Sequence, residues 1–250
     1  MECHVINLDG SIDNFYKVRP YLMEHGFSPQ RFRGVDASQG EHLGHTDRMT
    51  TTCVSACPRG VMGCGLSHIL LAQKLWDQGT DVALVLEDDV YPSVDNLQEE
   101  IEKVMRDVPD DWGIIKLHCD MCLDGTKPKG VNGSFAAYIV NRKGMNFLKN
   151  LQLDWHIDLQ VSGDPMVYKS HTNFFWADEN KSSNRDTQST PVGRFLEMFR
   201  PKLSGEKTVD HIFAYKVIRI PGTSFEVTGW HVFYILLIVG LVVYMSKRIW

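Results

Sequence analysis

Residues 82–92 read VALVLEDDVYP, so five apolar residues run directly into three adjacent acidic ones. A short apolar run of this length is typical of a strand buried on both faces of a parallel sheet. Glu87, Asp88 and Asp89 therefore follow the carboxyl end of a strand, where ligands bind in open α/β sheets. Adjacent carboxylates repel one another unless a cation neutralises them. Oxygen ligands of this kind favour Mg²⁺ or Mn²⁺ over zinc or copper.

The backbone of this acidic triplet predicts which side chains act together. In an extended chain Glu87 and Asp89 point to one face and Asp88 points to the other. We therefore expect Glu87 and Asp89 to face the ligand as a pair. A solvated acidic turn that leads into the acidic helical segment at 97–108 is the competing interpretation, and the triplet alone does not decide between them.

Strand and helix patterns alternate on both sides of the triplet. Apolar runs predict strands at 5–8, 82–86, 113–117 and 135–140, and helical periodicity covers 16–23, 66–76 and 97–108. This alternation is typical of an α/β fold with a mostly parallel central sheet and helices on both faces.

Composition excludes several classes of protein. The chain has 250 residues and a net charge of −5, which argues against a nucleic-acid-binding protein. No P-loop motif is present, which argues against a phosphotransferase of that type. The six cysteines are too sparse for a disulfide scaffold. A zinc-binding module on Cys53, Cys57, Cys119 and Cys122 is conceivable, although the two pairs lie more than sixty residues apart.

An ordered set of short motifs surrounds the triplet. Reading along the chain, these are INLD at 6–9, GCGLSH at 63–68, VLEDDV at 85–90, AYIVNRKG at 137–144 and DWHID at 154–158. The set resembles glycosyltransferase family 25, the lipooligosaccharide galactosyltransferases and collagen galactosyltransferase-like domains. Family members usually carry an arginine a few residues after INLD, where this chain has Asn14 or Phe15. That departure concerns the identity of donor and acceptor rather than the fold.

The resemblance implies a GT-A nucleotide-sugar transferase fold and a metal-dependent reaction. The expected activity is the inverting transfer of a hexose, galactose or glucose, from a nucleotide sugar such as a UDP-hexose. The acceptor would be a glycan, a glycoprotein or a glycolipid. Mn²⁺ or Mg²⁺ would be held by Asp89, with Glu87 sharing the ion or touching the donor ribose, and His171 is a candidate to complete the shell. A non-catalytic binding or adhesion protein of the same family is the alternative.

The resemblance also assigns residues to the donor and to catalysis. Donor-binding residues are expected at Ile6, Asn7, Leu8, Ser67, His68, Glu87 and Asp88. Helix capping and a satisfied buried histidine are the alternatives for Ser67 and His68, and Asp9 either supports the donor loop or caps a helix. Inversion requires one general base. Asp158 is the first candidate for it, Asp154 the second and Asp164 the third.

The carboxyl-terminal quarter differs in composition from the rest of the chain. We expect a catalytic domain at 1–190, a polar stalk or active-site loop at 191–228, a transmembrane helix at 229–246 and a short tail at 247–250. Sixteen uncharged residues, WHVFYILLIVGLVVYM at 230–245, suggest the membrane span. No signal peptide is recognisable at the amino terminus. These features together predict a tail-anchored membrane protein whose catalytic domain faces the cytosol.

Overall fold

The computed structural model describes residues 1–118 and 134–178, two strands at 216–219 and 226–228, and helical positions 232 and 234–239. The chain divides into two compact units, Met1–Gln188 and Ser189–Trp250. The acidic triplet belongs to the first unit.

The first unit alternates strands and helices along the chain. Its strands are β1 (Glu2–Asn7), β2 (Pro29–Arg33), β3 (Val82–Glu87), β4 (Val90–Pro92), β5 (Ile114–Lys116), β6 (Ala137–Asn141), β7 (Val167–Lys169) and β8 (Phe175–Ala177). Its helices are α1 (Ile12–Glu24), α2 (Thr51–Ala56), α3 (Arg59–Asp77), α4 (Leu97–Asp107), α5 (Arg142–Lys149) and α6 (Ile157–Val161).

Six of these strands form one sheet in the order β2-β1-β3-β6-β5-β7. β1 pairs in parallel with both β2 and β3, and β5 pairs in parallel with β7. β6 runs antiparallel to both of its neighbours, β3 and β5. The predicted α/β fold with a mostly parallel central sheet is confirmed, because five of the six strands share one direction.

Helices cover both faces of this sheet, as the strand and helix pattern predicts. Along β3, Ala83 and Val85 pack into a core with α3, α5 and α6. Leu84 and Leu86 point the other way and pack with α1 and α4. All four side chains are fully buried. The apolar run at 82–86 is therefore continuous because both of its faces are covered.

The glycines of the GCGLSH motif allow α3 to pack closely against its neighbours. A Cβ atom on Gly63 would lie 2.6 Å from the carbonyl oxygen of Val35, and one on Gly65 would lie 2.5 Å from Cδ1 of Leu153. Neither contact leaves room for a methyl group. The two glycines thus let α3 approach the loop after β2 and the segment at Leu153, with Cys64 between them.

The sheet differs from the sequence prediction at both edge strands, since neither β2 nor β7 was predicted, and at the acidic triplet. β2 has the sequence PQRFR, whose polar residues hide an edge strand from a search for apolar runs. The chain also turns at Asp88 and Asp89, before β4 begins at Val90, instead of continuing as a strand. The alternation of side chains expected for an extended triplet therefore does not apply.

The second unit bears on the predicted membrane anchor. Its described residues form the antiparallel pair β9 (Lys216–Arg219) and β10 (Glu226–Thr228) and a helical segment at 234–239. Within the described part of the chain, no helix has both the length and the apolar character needed to cross a membrane.

The prediction of a tail anchor at 229–246, and the membrane localisation and cytosolic orientation that it implied, are therefore wrong. The uncharged residues at 230–245 suggested a span from composition alone, and no helix among the described residues supports it. Residues 229–231, 233 and 240–250, like most of 191–228, lie outside the described residues.

Candidate functional site

A cleft of about 220 Å³ opens beside the carboxyl ends of β1 and β3. The loop that follows β2 and the first two turns of α3 supply its other walls. All seven residues predicted to bind the donor line this cleft: Ile6, Asn7, Leu8, Ser67, His68, Glu87 and Asp88. The sheet therefore brings together three motifs that are far apart in the sequence.

Asn7 connects the end of β1 to the acidic triplet. Its side chain is buried and fully bonded: Nδ2 donates to Oδ2 of Asp88 at 2.5 Å and to the carbonyl oxygen of Ser11 at 2.7 Å. Its Oδ1 accepts from Nε of Arg31 at 2.6 Å. Arg31 also forms an ion pair with Asp9 at 2.6 Å. Asp9 thus supports the loop after β1, as one of the two interpretations of this residue predicts.

Asp88 is a half-buried carboxyl group in this cleft. Loss of hydration, together with the neighbouring charge of Glu87, raises its pKa to about 6. Hydrogen bonds from Asn7 and Asn14 act in the opposite direction and favour the carboxylate. Asn14, which stands near the position of the family's usual arginine, therefore serves as a neutral partner of Asp88.

Glu87 faces α3 and contacts two residues of the GCGLSH motif. Its Oε1 lies 3.3 Å from Nε2 of His68 and 3.5 Å from Sγ of Cys64. Nδ1 of His68 lies 3.0 Å from the hydroxyl of the buried Tyr138 on β6. His68 is thus held at both ring nitrogens and bridges the sheet to the acidic triplet.

Ser67 has a structural role in the cleft wall. Its hydroxyl donates to the carbonyl oxygen of Gly63 at 2.6 Å and accepts from the backbone amide of Val35 at 2.8 Å. These two bonds attach the loop after β2 to α3. Ser67 therefore lines the cleft and positions its wall, and its part in donor binding stays a prediction.

Asp89 lies behind the cleft-lining residues. It is only 9% exposed, and its Oδ1 has no hydrogen-bond partner within the described part of the chain. Burial and the charges of Glu87 and Asp88 raise its pKa well above the ordinary range, while His118 acts in the opposite direction. A buried carboxylate oxygen without a donor is a costly arrangement that a cation would relieve.

The predicted metal ligands do not form one ligand set in this structure. Among the described residues, ligand atoms of Cys64, His68 and Glu87 form the group that lies within 4.8 Å, and neither Asp89 nor His171 belongs to it. His171 is exposed on the segment after β7. Its place in a metal shell stays a prediction.

The three candidate bases differ in their surroundings. Asp158, half-buried in the first turn of α6, accepts from the backbone amides of Ser134 at 3.1 Å and Leu159 at 2.9 Å. Its charge reaches the cleft, because it contributes to raising the pKa of the Cys64 thiol. Asp154 is exposed and accepts from the Thr50 hydroxyl at 2.7 Å.

Asp164 is the third candidate, and it has a local structural role. Its Oδ1 accepts from the backbone amide of Met166 at 3.0 Å, in the turn before β7. Of the three aspartates, Asp158 therefore has the strongest structural connection to the cleft.

Sequence reasoning missed two residues that organise the site. Arg31 lies on β2, which was not predicted as a strand, so its parallel pairing next to Asn7 could not be anticipated. Tyr138 lies within an apolar run that is typical of core residues, yet its hydroxyl orients His68 by bonding Nδ1 of the ring. The tyrosine in the AYIVNRKG motif was the available signal.

The structure describes two of the four cysteines of the conceivable zinc module. Cys53 and Cys57 are buried free thiols in and just after α2, whereas Cys119 and Cys122 lie outside the described residues.

Comparison with known proteins identifies one matching family. The sequence model of glycosyltransferase family 25, described as an LPS biosynthesis protein family, matches residues 1–162. This match spans 162 of 250 residues and includes every motif quoted above. No curated protein matches the chain.

Several solved structures share a likeness with the chain at low identity. A glycosyltransferase involved in glycosylation of the major capsid of PBCV-1 is 14% identical, with a TM-score of 0.35 over 60% of this chain and 64% of that one. A Drosophila β-1,4-galactosyltransferase 7 variant, in complex with manganese, UDP-Gal and xylobiose, is 14% identical with a TM-score of 0.36 over 91% of each chain.

A glucose-1-phosphate thymidylyltransferase from Bacillus anthracis is 12% identical to the chain, with a TM-score of 0.36 over 70% of this chain and 69% of that one. The chain spans less than two thirds of the PBCV-1 protein. At these identities and TM-scores, the likenesses carry no functional argument.

Proposed function

The chain belongs to glycosyltransferase family 25, and on that premise we propose that it transfers a hexose from a nucleotide sugar with inversion at the anomeric carbon. The donor is a UDP-hexose, either galactose or glucose, and the acceptor is a glycan, a glycoprotein or a glycolipid. The fold of the first unit is of the GT-A type. The observation that carries this proposal is the cleft at the ends of β1 and β3, which all seven expected donor residues line.

The shape and polarity of the cleft suit a nucleotide sugar. Ile6 and Leu8 supply apolar surface and backbone groups for the base, while Glu87 and Asp88 supply acceptors for the hydroxyl groups of ribose or sugar. Backbone and carboxylate groups of this kind fix the orientation of a ligand in a cleft. Arg59, at the start of α3, also lines the cleft and can meet a phosphate charge.

The carboxylates of the acidic triplet are oxygen ligands of the kind that a divalent cation such as Mn²⁺ or Mg²⁺ prefers. Asp89 and Glu87 would hold it, because both are carboxylates of the triplet and Asp89 has a buried oxygen without a partner in the described chain. When bound, such an ion stabilises the negative charge that develops on the leaving nucleoside diphosphate. The raised pKa of Asp89 supports the fit, since a cation would favour its charged form.

The chemical step requires one base on the acceptor side. In our proposal Asp158 takes the proton of the acceptor hydroxyl, while the acceptor oxygen bonds to the anomeric carbon and the nucleoside diphosphate leaves from the opposite face. The two backbone amides that bond Asp158 fix its orientation. Asp154 is the second candidate for the base, because it is exposed and lies just before the helix that carries Asp158.

A screen of nucleotide sugars tests this function. Purified full-length protein is incubated with each donor, with and without Mn²⁺, and release of the nucleoside diphosphate is measured. We expect turnover of a UDP-hexose only when the cation is present. Absence of turnover with every donor, with and without Mn²⁺, would favour the non-catalytic alternative, although the intact acidic triplet argues against that alternative.

A further inference from the structure

Cys64 and His68 form a cluster with Glu87, and the proposed sugar transfer does not use the thiol or the imidazole as a metal ligand. Cys64 and His68 are four residues apart on α3, so both side chains lie on the same helix face. Glu87 is the last residue of β3 and reaches the same point from the sheet. A thiol, an imidazole and a carboxylate therefore meet where α3 and β3 come together.

Two of the three separations between their ligand atoms match tetrahedral zinc coordination. Bond lengths of about 2.3 Å to sulfur, 2.0–2.1 Å to nitrogen and 2.0–2.2 Å to oxygen place neighbouring ligand atoms of a tetrahedron about 3.3–3.6 Å apart. The two measured separations are 3.3 Å from His68 Nε2 to Glu87 Oε1, and 3.5 Å from Cys64 Sγ to the same oxygen. All three ligand atoms lie within 4.8 Å of one another.

The surroundings of the cluster also suit a metal. Zinc-bound histidines normally bond a further group through their second ring nitrogen, and Nδ1 of His68 lies 3.0 Å from the Tyr138 hydroxyl. The charges of Glu87, Asp158 and Asp89 act on the Cys64 thiol, where they add to burial in raising its pKa. The same negative charges attract a cation.

We propose that Cys64, His68 and Glu87 form a binding site for a thiophilic divalent cation, Zn²⁺, with its fourth coordination position facing the cleft. On binding, the Cys64 thiol releases its proton to solvent. The thiolate and the Glu87 carboxylate then balance the two charges of the ion, and His68 binds as the neutral imidazole. The three residues line the cleft, so water or a ligand in the cleft can complete the tetrahedron.

This site differs from the proposed Mn²⁺ or Mg²⁺ site in its donor atoms. Sulfur and nitrogen select zinc, whereas the acidic triplet offers oxygen alone. Asp89 has no part in the zinc site, and Cys64 and His68 have none in the other. Glu87 is common to both, so the two ions are alternatives at that carboxylate.

Cobalt substitution tests the proposal without any measurement of sugar transfer. Co²⁺ is titrated into the metal-free full-length protein, and the thiolate-to-cobalt charge-transfer absorption is recorded; Zn²⁺ is then titrated against it. We expect one Co²⁺ per chain in a tetrahedral spectrum, displaced by Zn²⁺. Cys64→Ser should abolish the charge-transfer band. Tyr138→Phe should weaken Zn²⁺ binding about 10–100-fold, because it removes the partner of His68.

Matched controls separate this site from the other cysteines and from the proposed activity. A chain carrying both Cys119→Ser and Cys122→Ser should keep the band, since that pair supplies half of the competing four-cysteine zinc module. Asp89→Ala should also keep it, even if it loses Mn²⁺-dependent turnover. A charge-transfer band that survives Cys64→Ser, or wild-type protein without a band, would overturn the proposal.

X-ray absorption of zinc bound to the wild-type protein gives a test that needs no variant. We expect one sulfur and the remaining ligands nitrogen or oxygen. Two or more sulfur ligands would contradict the assignment, because Cys64 is the single thiol of the cluster.

Discussion

Asp88 costs the metal-free protein stability, and Asp88→Asn should therefore stabilise it at neutral pH. The folded protein holds this group at a pKa of about 6, against an ordinary value of 3.8, mainly because burial removes its hydration. A difference of about two pKa units corresponds to roughly 3 kcal/mol. Asp88 is partly exposed, and the variant also loses the charged acceptor of the Asn7 hydrogen bond. We therefore expect Asp88→Asn to raise the free energy of unfolding by about 1–2 kcal/mol.

The sign of the pH dependence follows from the raised pKa. Between about pH 4 and pH 6 the folded protein keeps a proton on Asp88 that the unfolded chain has lost. The cost of the charge is therefore fully present above pH 6 and disappears as the pH falls toward 4. Asparagine carries no such charge, so the advantage of Asp88→Asn should shrink over the same range.

Chemical denaturation in the presence of a chelator measures this effect. The free energy of unfolding of the wild type and of Asp88→Asn is compared at pH 7.5 and at pH 4.5. Asp110→Asn, on an exposed loop, serves as the matched control and should change stability by less than about 0.5 kcal/mol. A variant that is less stable than the wild type at pH 7.5, or equally more stable at both pH values, would refute this reasoning.

Two further predictions concern catalysis and packing. Asp158→Asn should spare donor binding, measured by calorimetry, and lower the transfer rate by about 10²–10⁴-fold; unchanged transfer would move the role of base to Asp154. Gly65→Ala should lower the free energy of unfolding by about 1–3 kcal/mol, because its new methyl group would lie 2.5 Å from Leu153. Leu153→Ala in the same chain should cancel part of that loss in a double-mutant cycle, and strictly additive losses would contradict the contact.

The sequence predicted the centre of the sheet well, because a strand that is buried on both faces has a continuous run of apolar residues. β3 begins at Val82 as expected, and its apolar run is continuous since helices cover both sides. The edge strand β2 left no such signal, because PQRFR is mostly polar. Sequence patterns record burial rather than pairing, and an edge strand pairs without being fully buried.

The sequence predicted several of the residues that line the cleft, but it did not predict how they are arranged. The carboxylates at the end of β3 indicated where the cleft lies. The ordered motifs indicated that Asn7 and His68 belong to the same site, and both line the cleft. The turn at Asp88 and Asp89 was missed, and with it the burial of Asp89 behind its neighbours. A local turn of this kind depends on tertiary bonds, such as the one from Asn7 to Asp88 across 81 positions.

The membrane prediction failed for a different reason. An uncharged run at 230–245 satisfies a rule of composition, but crossing a bilayer also requires about 20 residues of continuous helix. Among the described residues, no helix is both long and apolar enough for that.

Cation-dependent turnover of a nucleotide sugar by the wild type and by Asp89→Ala tests the central proposal most directly. Release of nucleoside diphosphate is measured with a UDP-hexose, with Mn²⁺ or with excess chelator, and Asp110→Ala serves as the matched control. We predict turnover in the wild type and the control only when Mn²⁺ is present, and none in a folded Asp89→Ala protein, because the buried carboxylate that balances the cation is gone. Full turnover by folded Asp89→Ala, or by the wild type in chelator, would contradict it.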